Sequence, residues 1–274
     1  MSDRTDIFTA YAPPEIARRV EQLGVSKAHA STLTLLVLAV LAGAFISLGA
    51  IFYTVVISTS SDSITRLLGG LSFSLGLILV IIAGAELFTG NNLIAMAWAS
   101  RLIGIRDLLR NWIIVYIGNV IGCLGTVLLV MWANVANRYG NSVGDIAVQI
   151  ARYKADLSLG EAFARGILCN ALVCLAVWLA MGGRTVSDKI LAIVFPITAF
   201  VVIGLEHSIA NWFFLPYGLA LDEYTTVSLA GVCRNLLGVT AGNIVGGTLL
   251  VAGVYWIAYL RGSHTDRHET DDPK

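Results

Sequence analysis

Charge is what this chain has least of. Asp, Glu, Lys and Arg make up 13% of its 274 residues, against about 25% in an ordinary soluble domain. The formal net charge is zero, so there is no basic surplus to hold a nucleic-acid backbone, and no nucleic-acid partner is expected. Cys123, Cys169, Cys174 and Cys233 form no Cys-x-x-Cys pair and lie in or beside apolar stretches. They read as small packing residues and speak against a disulfide framework or a zinc site. Three of the four histidines (His29, His264, His268) are near the ends of the chain. Metal-ligand spacing is missing, so no metal, no cofactor and no enzyme chemistry are expected. The N-terminus is polar to about Ser31 without the layout of a signal peptide, and the first apolar run is expected to stay in the mature protein.

What is present is hydrocarbon. Apolar residues make up 57% and the mean hydropathy is +0.78, which places the chain among integral membrane proteins, with lipid as its surroundings. Apolar runs fall at 33–57, 67–100, 111–137, 166–183, 190–221 and 235–260. The expected fold is all-α, with six transmembrane units. Residues 1–32 precede them as a polar segment, 33–261 form the membrane domain, and 262–274 are a tail. Within the first segment, 13–29 reads as an amphipathic helix with Ile16, Val20 and Leu23 on one face. It could cover the mouth of a pathway or simply lie on the membrane surface.

The second and fifth runs are too long. As continuous helices they would measure roughly 50 Å, against a hydrocarbon core of about 30 Å. Each contains the same octapeptide pattern, Gly84-Ala85-Glu86-Leu87-Phe88-Thr89-Gly90-Asn91 and Gly204-Leu205-Glu206-His207-Ser208-Ile209-Ala210-Asn211. Both read Gly-x-Glu-x-x-x-small-Asn, and both place an ionisable group where hydrocarbon makes it costly. A broken helix is the economical reading, and non-helical backbone at that depth must be buried in protein or line a cavity.

The repeat extends further. Gly118-Asn119-Val120-Ile121-Gly122 matches Gly242-Asn243-Ile244-Val245-Gly246. Units one to three therefore correspond to four to six. An odd number of crossings per repeat inverts the second copy, a plan shared by many transporters and channels. Gly118 and Gly122, and Gly238, Gly242 and Gly246, have the small-residue spacing of closely packed helices. Matched interruptions in two halves point to a solute pathway near the bilayer midplane.

Orientation follows from the basic residues. The first segment, the second-to-third and fourth-to-fifth connections and the tail hold two thirds of the 18 Lys and Arg. Arg66, Arg138, Arg152, Lys154, Arg165 and Arg234 face the other side. Both termini are expected in the cytoplasm.

Inside the membrane Glu86, Thr89, Glu206 and His207 stand out, joined by Asn170 from the fourth run. His207 is either a neutral imidazole bonded to broken-helix backbone or a group that changes charge and hands a proton to an anion. Glu86 and Glu206 read as structural, placed where freed backbone N–H groups await partners. Thr89 is ambiguous, since a hydroxyl in a break often satisfies a carbonyl.

These residues resemble a known family. The stretches around Glu86–Gly90 and Glu206–Asn211, with Gly166-Ile167-Leu168-Cys169-Asn170 and Val239-Thr240-Ala241-Gly242-Asn243, are similar to the signatures of the formate–nitrite transporters. The resemblance runs from about Tyr11 to Arg261. Phe73-Ser74-Leu75-Gly76-Leu77 and Phe214-Leu215-Pro216-Tyr217-Gly218 are more like the formate channels than the nitrite or hydrosulfide branches. Trp212 stands where the family usually has methionine, and Gly90 where formate channels often have serine.

The resemblance implies a homopentamer of aquaporin-like protomers in a bacterial inner membrane, each protomer with its own pore for a small monovalent anion. Formate is the foremost candidate, with nitrite or hydrosulfide as the alternative. It also implies that Thr89 meets the anion beside His207, with Asn170 nearby. Phe73, Leu77, Leu87 and Phe200 fall on apolar constrictions, Lys154 attracts anions at the vestibule, and Asn91 and Asn211 sit with the glutamates in the breaks.

A bare carboxylate cannot cheaply cross a dry ring of Phe and Leu. Protonation to the neutral acid removes most of that penalty, and His207 is the nearest donor, by full transfer or by hydrogen bond alone. Rival readings explain less. A neutral-solute channel of the aquaporin type needs Asn-Pro-Ala, whereas Asn91 and Asn211 are followed by Asn92 and Trp212. A membrane redox protein needs more intramembrane ligands than these.

Overall fold

The computed structural model describes residues 10–261, so the tail at 262–274 lies outside the described residues. Those described contain helices and no strand. In chain order they are α1 (Pro13–Ala28), α2 (Thr32–Ile57), α3 (Ser63–Ile82), α4 (Ala95–Ala99), α5 (Ile105–Trp132), α6 (Ser142–Asp156), α7 (Leu159–Gly182), α8 (Val186–Ile203), α9 (Ser208–Leu221), α10 (Leu229–Val245) and α11 (Val254–Tyr259). A tight helical turn, Gly90–Ile94, leads into α4, and a widened one, Gly246–Gly253, joins α10 to α11. Six stretches are long and apolar enough to span a bilayer.

Both long runs are broken. α3 stops at Ile82 and the chain resumes helical form at Gly90, while α8 stops at Ile203 and α9 starts at Ser208. At each break a glycine takes the left-handed backbone that a side chain resists: Gly84 at φ 81° and Gly204 at φ 80°. These are the first residues of the two octapeptides.

The spans begin earlier than hydropathy suggests. The third starts at Ile105, the fourth at Leu159 and the sixth at Leu229. Charged residues near their ends are tolerated because they are bonded. Arg110 donates to Ala28 O and Ala30 O, and Arg234 donates to Ala155 O and Leu157 O. At the start of α7, Ser158 and Glu161 form a reciprocal cap.

The connection between the third and fourth spans contains α6. Val143, Ala147, Ala151 and Ala155 form its buried stripe. α6 is the counterpart of α1, so each repeat is an amphipathic helix followed by three crossings. α1 packs Ile16, Ala17 and Val20 against Leu93, Met96 and Trp178 rather than lying free, while Leu23 stays 37% exposed.

Glycine sets the close approaches within each repeat. A Cβ on Gly122 would run into Val40 O, and one on Gly246 into Ile167 O, so α5 lies against α2 as α10 lies against α7. Three cysteines are buried as packing residues, whereas Cys233 is exposed.

Candidate functional site: a histidine–threonine pair between two cavities

The breaks are held by two copies of one polar lattice. In the first repeat Lys27 Nζ lies 3.1 Å from Glu86 Oε1, Asn91 Nδ2 donates to Glu86 Oε2 at 2.7 Å and to Asn111 Oδ1 at 3.0 Å, and Asn111 Nδ2 donates to Lys27 O at 3.1 Å. In the second, Lys154 Nζ lies 2.9 Å from Glu206 Oε1. Asn211 Nδ2 donates to Glu206 Oε2 at 2.7 Å and to Asn235 Oδ1 at 2.8 Å, and Asn235 Nδ2 donates to Lys154 O at 2.9 Å.

Backbone in the breaks is satisfied by a second pair of asparagines. Asn119 Oδ1 accepts from Phe88 N–H at 2.9 Å while its Nδ2 donates to Ala39 O and Glu86 O. Asn243 does the same for Ser208 N–H at 2.8 Å, Gly166 O and Glu206 O. Glu86 and Glu206 do not cap backbone as expected: each carboxylate is bonded to a lysine and an asparagine. An ammonium repays a buried carboxylate better than a peptide N–H does, and neutral asparagines serve the peptide groups.

With the backbone satisfied, two polar side chains that the repeats do not share meet between the breaks. Thr89 Oγ1 and His207 Nε2 are 3.0 Å apart, with Thr89 fully buried and His207 3% exposed. His207 caps α9, its Nδ1 accepting from Ala210 N–H at 3.1 Å. A ring nitrogen that accepts has no proton, so the neutral imidazole carries its hydrogen on Nε2. Nε2–H therefore donates to Thr89, whose own O–H remains free to donate. Asn170 Nδ2 donates to Thr89 O at 3.3 Å, to Asn92 Oδ1 and to Asn243 O, both at 2.7 Å. It stands behind the pair and fixes the backbone of Thr89.

Two cavities approach this centre. One, of about 280 Å³, is lined by Tyr53, Phe73, Lys154, Phe200, His207 and Phe214. Phe73 and Phe200 meet edge to face at 5.5 Å, and Phe200 lies parallel to the His207 ring at 6.0 Å. The other, of about 40 Å³, is lined by residues including Lys27, Leu77, Val80, Leu87 and Asn91. The four expected constriction residues therefore divide, Phe73 and Phe200 to one side and Leu77 and Leu87 to the other. Lys154 is on a cavity wall but ion-paired, with Nζ 5.3 Å from the Phe214 ring centre. Among the described residues no group of His, Cys, Asp and Glu has the makings of a metal site.

Sequence reading did not single out Lys27, Asn111, Asn235, Tyr53 or Asn92. A signal was available for some: Arg110-Asn111 recurs as Arg234-Asn235 at the spacing that relates Asn119 to Asn243.

A pair of broken helices, held by duplicated ion pairs and joined where a histidine of one break bonds a threonine of the other, defines a solute-conducting membrane protein of the inverted-repeat class. The chain belongs to the formate/nitrite transporter family, whose profile matches residues 14–257. It is 40% identical over 282 residues to the formate channel FocA of Escherichia coli (strain K12), covering 95% of this chain and 98% of that protein. It is also 40% identical over 259 residues to YrhG of Bacillus subtilis (strain 168), an uncharacterized transporter, covering 90% of this chain and 93% of the relative. A solved pentameric formate channel with formate bound superposes with a TM-score of 0.78 at 38% identity, over 84% of this chain and 98% of that one. An FNT family ion channel gives 0.84 at 29% identity, over 89% and 98%.

Proposed function

We propose that this protein conducts small monovalent anions, formate foremost, through a pore in each protomer of a homopentamer in a bacterial inner membrane, with both termini in the cytoplasm. The observation that carries this reading is the Thr89–His207 pair, a matched N–H and O–H set, with Phe73 and Phe200 lining one cavity near it and Leu77 and Leu87 the other. The names of the relatives support formate as the cargo and five copies as the assembly.

In this reading an anion enters either mouth beside a lysine, Lys154 or Lys27. Each ammonium is balanced by a buried glutamate, so the mouths are neutral overall yet keep N–H donors facing the cavity. The anion then displaces the Thr89–His207 bond and accepts Nε2–H and the Thr89 O–H together. Charge-assisted bonds of this kind offset part of the hydration it has lost. Passing the phenylalanine or leucine ring as the neutral acid removes the remaining charge penalty.

The capping bond sets a condition on that proton. Neutral His207 has one hydrogen, on Nε2. Giving it away outright requires a second proton at Nδ1, and the Ala210 amide occupies that lone pair. Loading the histidine is thereby coupled to the first turn of α9.

Flux of formate, nitrite and hydrosulfide into liposomes holding the purified protein tests the reading. Formate entry at the highest rate supports it, and an absence of anion entry refutes it.

A further inference from the structure

Thr89 and His207 belong to different repeats, and no covalent constraint sets their 3.0 Å separation. Two contacts between the repeats flank the pair. On one side Ser74 Oγ of α3 donates to Val194 O of α8 at 3.4 Å. On the other, Tyr116 Oη of α5 lies 3.1 Å from Thr240 Oγ1 of α10. Tyr116 and Thr240 are separated by the same interval as Asn119 and Asn243, so they are equivalent positions of the two repeats that meet face to face.

Tyr116 has further partners. Trp212 Nε1 donates to its hydroxyl at 2.8 Å. An indole N–H can only donate, which leaves the phenol proton for Thr240. The Tyr116 ring meets Phe88 edge to face at 4.9 Å. Phe88 precedes Thr89 in the first break, and Trp212 follows Asn211 in α9, the helix that His207 caps. Tyr116 also lies one turn before Asn119, which holds Phe88 N–H, and Thr240 one turn before Asn243, which holds Ser208 N–H. One phenol thus touches the first break and the helix that follows the second, and joins the helices that anchor both.

We propose that Tyr116 is a positioning residue for the anion site: with Thr240 it clasps the two repeats together and so sets the Thr89–His207 spacing that discriminates between anions. This rests on the anion-conducting reading above. An aromatic–aromatic contact and a hydroxyl pair are each modest, but a site that must fit a three-atom carboxylate responds to small changes in spacing.

The test compares Tyr116→Phe, Thr240→Val and Thr240→Ser with the parent protein in one liposome assay of formate and acetate flux. Phenylalanine keeps the contact with Phe88, valine keeps the shape of threonine, and serine keeps the hydroxyl. Tyr116→Phe and Thr240→Val should each lower the formate-to-acetate ratio by about three- to tenfold, and Thr240→Ser should retain the parental ratio. A purely structural role would change the amount of assembled protein without changing that ratio. Parental ratios in Tyr116→Phe and Thr240→Val, or equal loss in the valine and serine variants, would overturn the proposal. If Tyr116→Phe fails to assemble, the Thr240 pair decides. A parent that passes neither anion sinks the anion-conducting reading and this one together, whereas a parent that passes formate with unaltered variants sinks this one alone.

Discussion

Leu87 and His207 occupy the same position in the two repeats, each directly after the glutamate of its break. Glu86 and Glu206 have matching lysine and asparagine partners, and Asn91 and Asn211 each donate to that glutamate and to a second asparagine, whereas Asn91 Oδ1 also accepts from Lys27. Two residues further on, Thr89 corresponds to Ile209. Asn119 and Asn243 hold the backbone alike in both repeats, and the positions that differ put Thr89 and His207 within hydrogen-bond distance. Each repeat contributes one polar side chain to the centre, and only together do they place an N–H and an O–H side by side.

His207 should therefore be separable from the fold. In His207→Asn the side-chain oxygen can still accept Ala210 N–H, since asparagine is a good helix cap. We expect assembled protein that has lost the acid-stimulated component of formate uptake, because asparagine cannot be loaded with a proton. Uptake measured across a series of external pH values checks this, and an unchanged profile would show that the histidine only packs.

The Lys154–Glu206 pair should matter to stability more than its proximity to the cavity suggests. Lys154→Met strands a carboxylate that is 2% exposed and should destabilise the protein by about 3–5 kcal/mol. Lys154→Met with Glu206→Leu removes both charges and should recover much of that loss. Thermal unfolding of the three proteins in one detergent measures it. A double variant as unstable as the single one would mean that packing, not charge, holds this corner.

Asp62 gives a pH dependence outside the membrane. It caps α3, accepting from Ser60 Oγ at 2.6 Å, Thr65 N–H at 2.9 Å and Thr65 Oγ1 at 2.8 Å. The bond from Ser60, followed by those from Thr65, holds the carboxyl well below the usual carboxylate range. A depressed folded value contributes stability that is present above the unfolded value, about 4, and lost as the pH falls below it. Protection of the amides at the start of α3 against exchange, relative to the intrinsic rate at each pH, should fall below that pH in the parent protein. Asp62→Asn should remove the dependence, and an identical pH response in both proteins would count against this cap.

Orientation can be read with reporters. A fusion after Lys274 should report the cytoplasm, and an insertion near Asn141 should report the opposite face. A C-terminus on the outer face would contradict the orientation drawn from the distribution of basic residues.

Sequence alone determined the class and plan of this protein. Apolar run length is a property of the chain, so six crossings were visible without coordinates. Doubled octapeptides exposed the breaks because a carboxylate in hydrocarbon is too costly to be incidental. Thr89, His207 and Asn170 stood out as polar side chains in apolar runs, and resemblance to the family gave them an expected role. Tertiary structure decided who pairs with whom. The partners of Glu86 and Glu206 are lysines on amphipathic helices, 59 and 52 residues earlier in the chain. Such a distance is set by how α1 and α6 fold back onto the breaks, and no local pattern encodes it. α6 itself was masked because its apolar stripe is mostly alanine, which raises hydropathy little yet packs closely. The proton position on His207 depends on a single backbone amide three residues away, which becomes a partner only once α9 begins at Ser208.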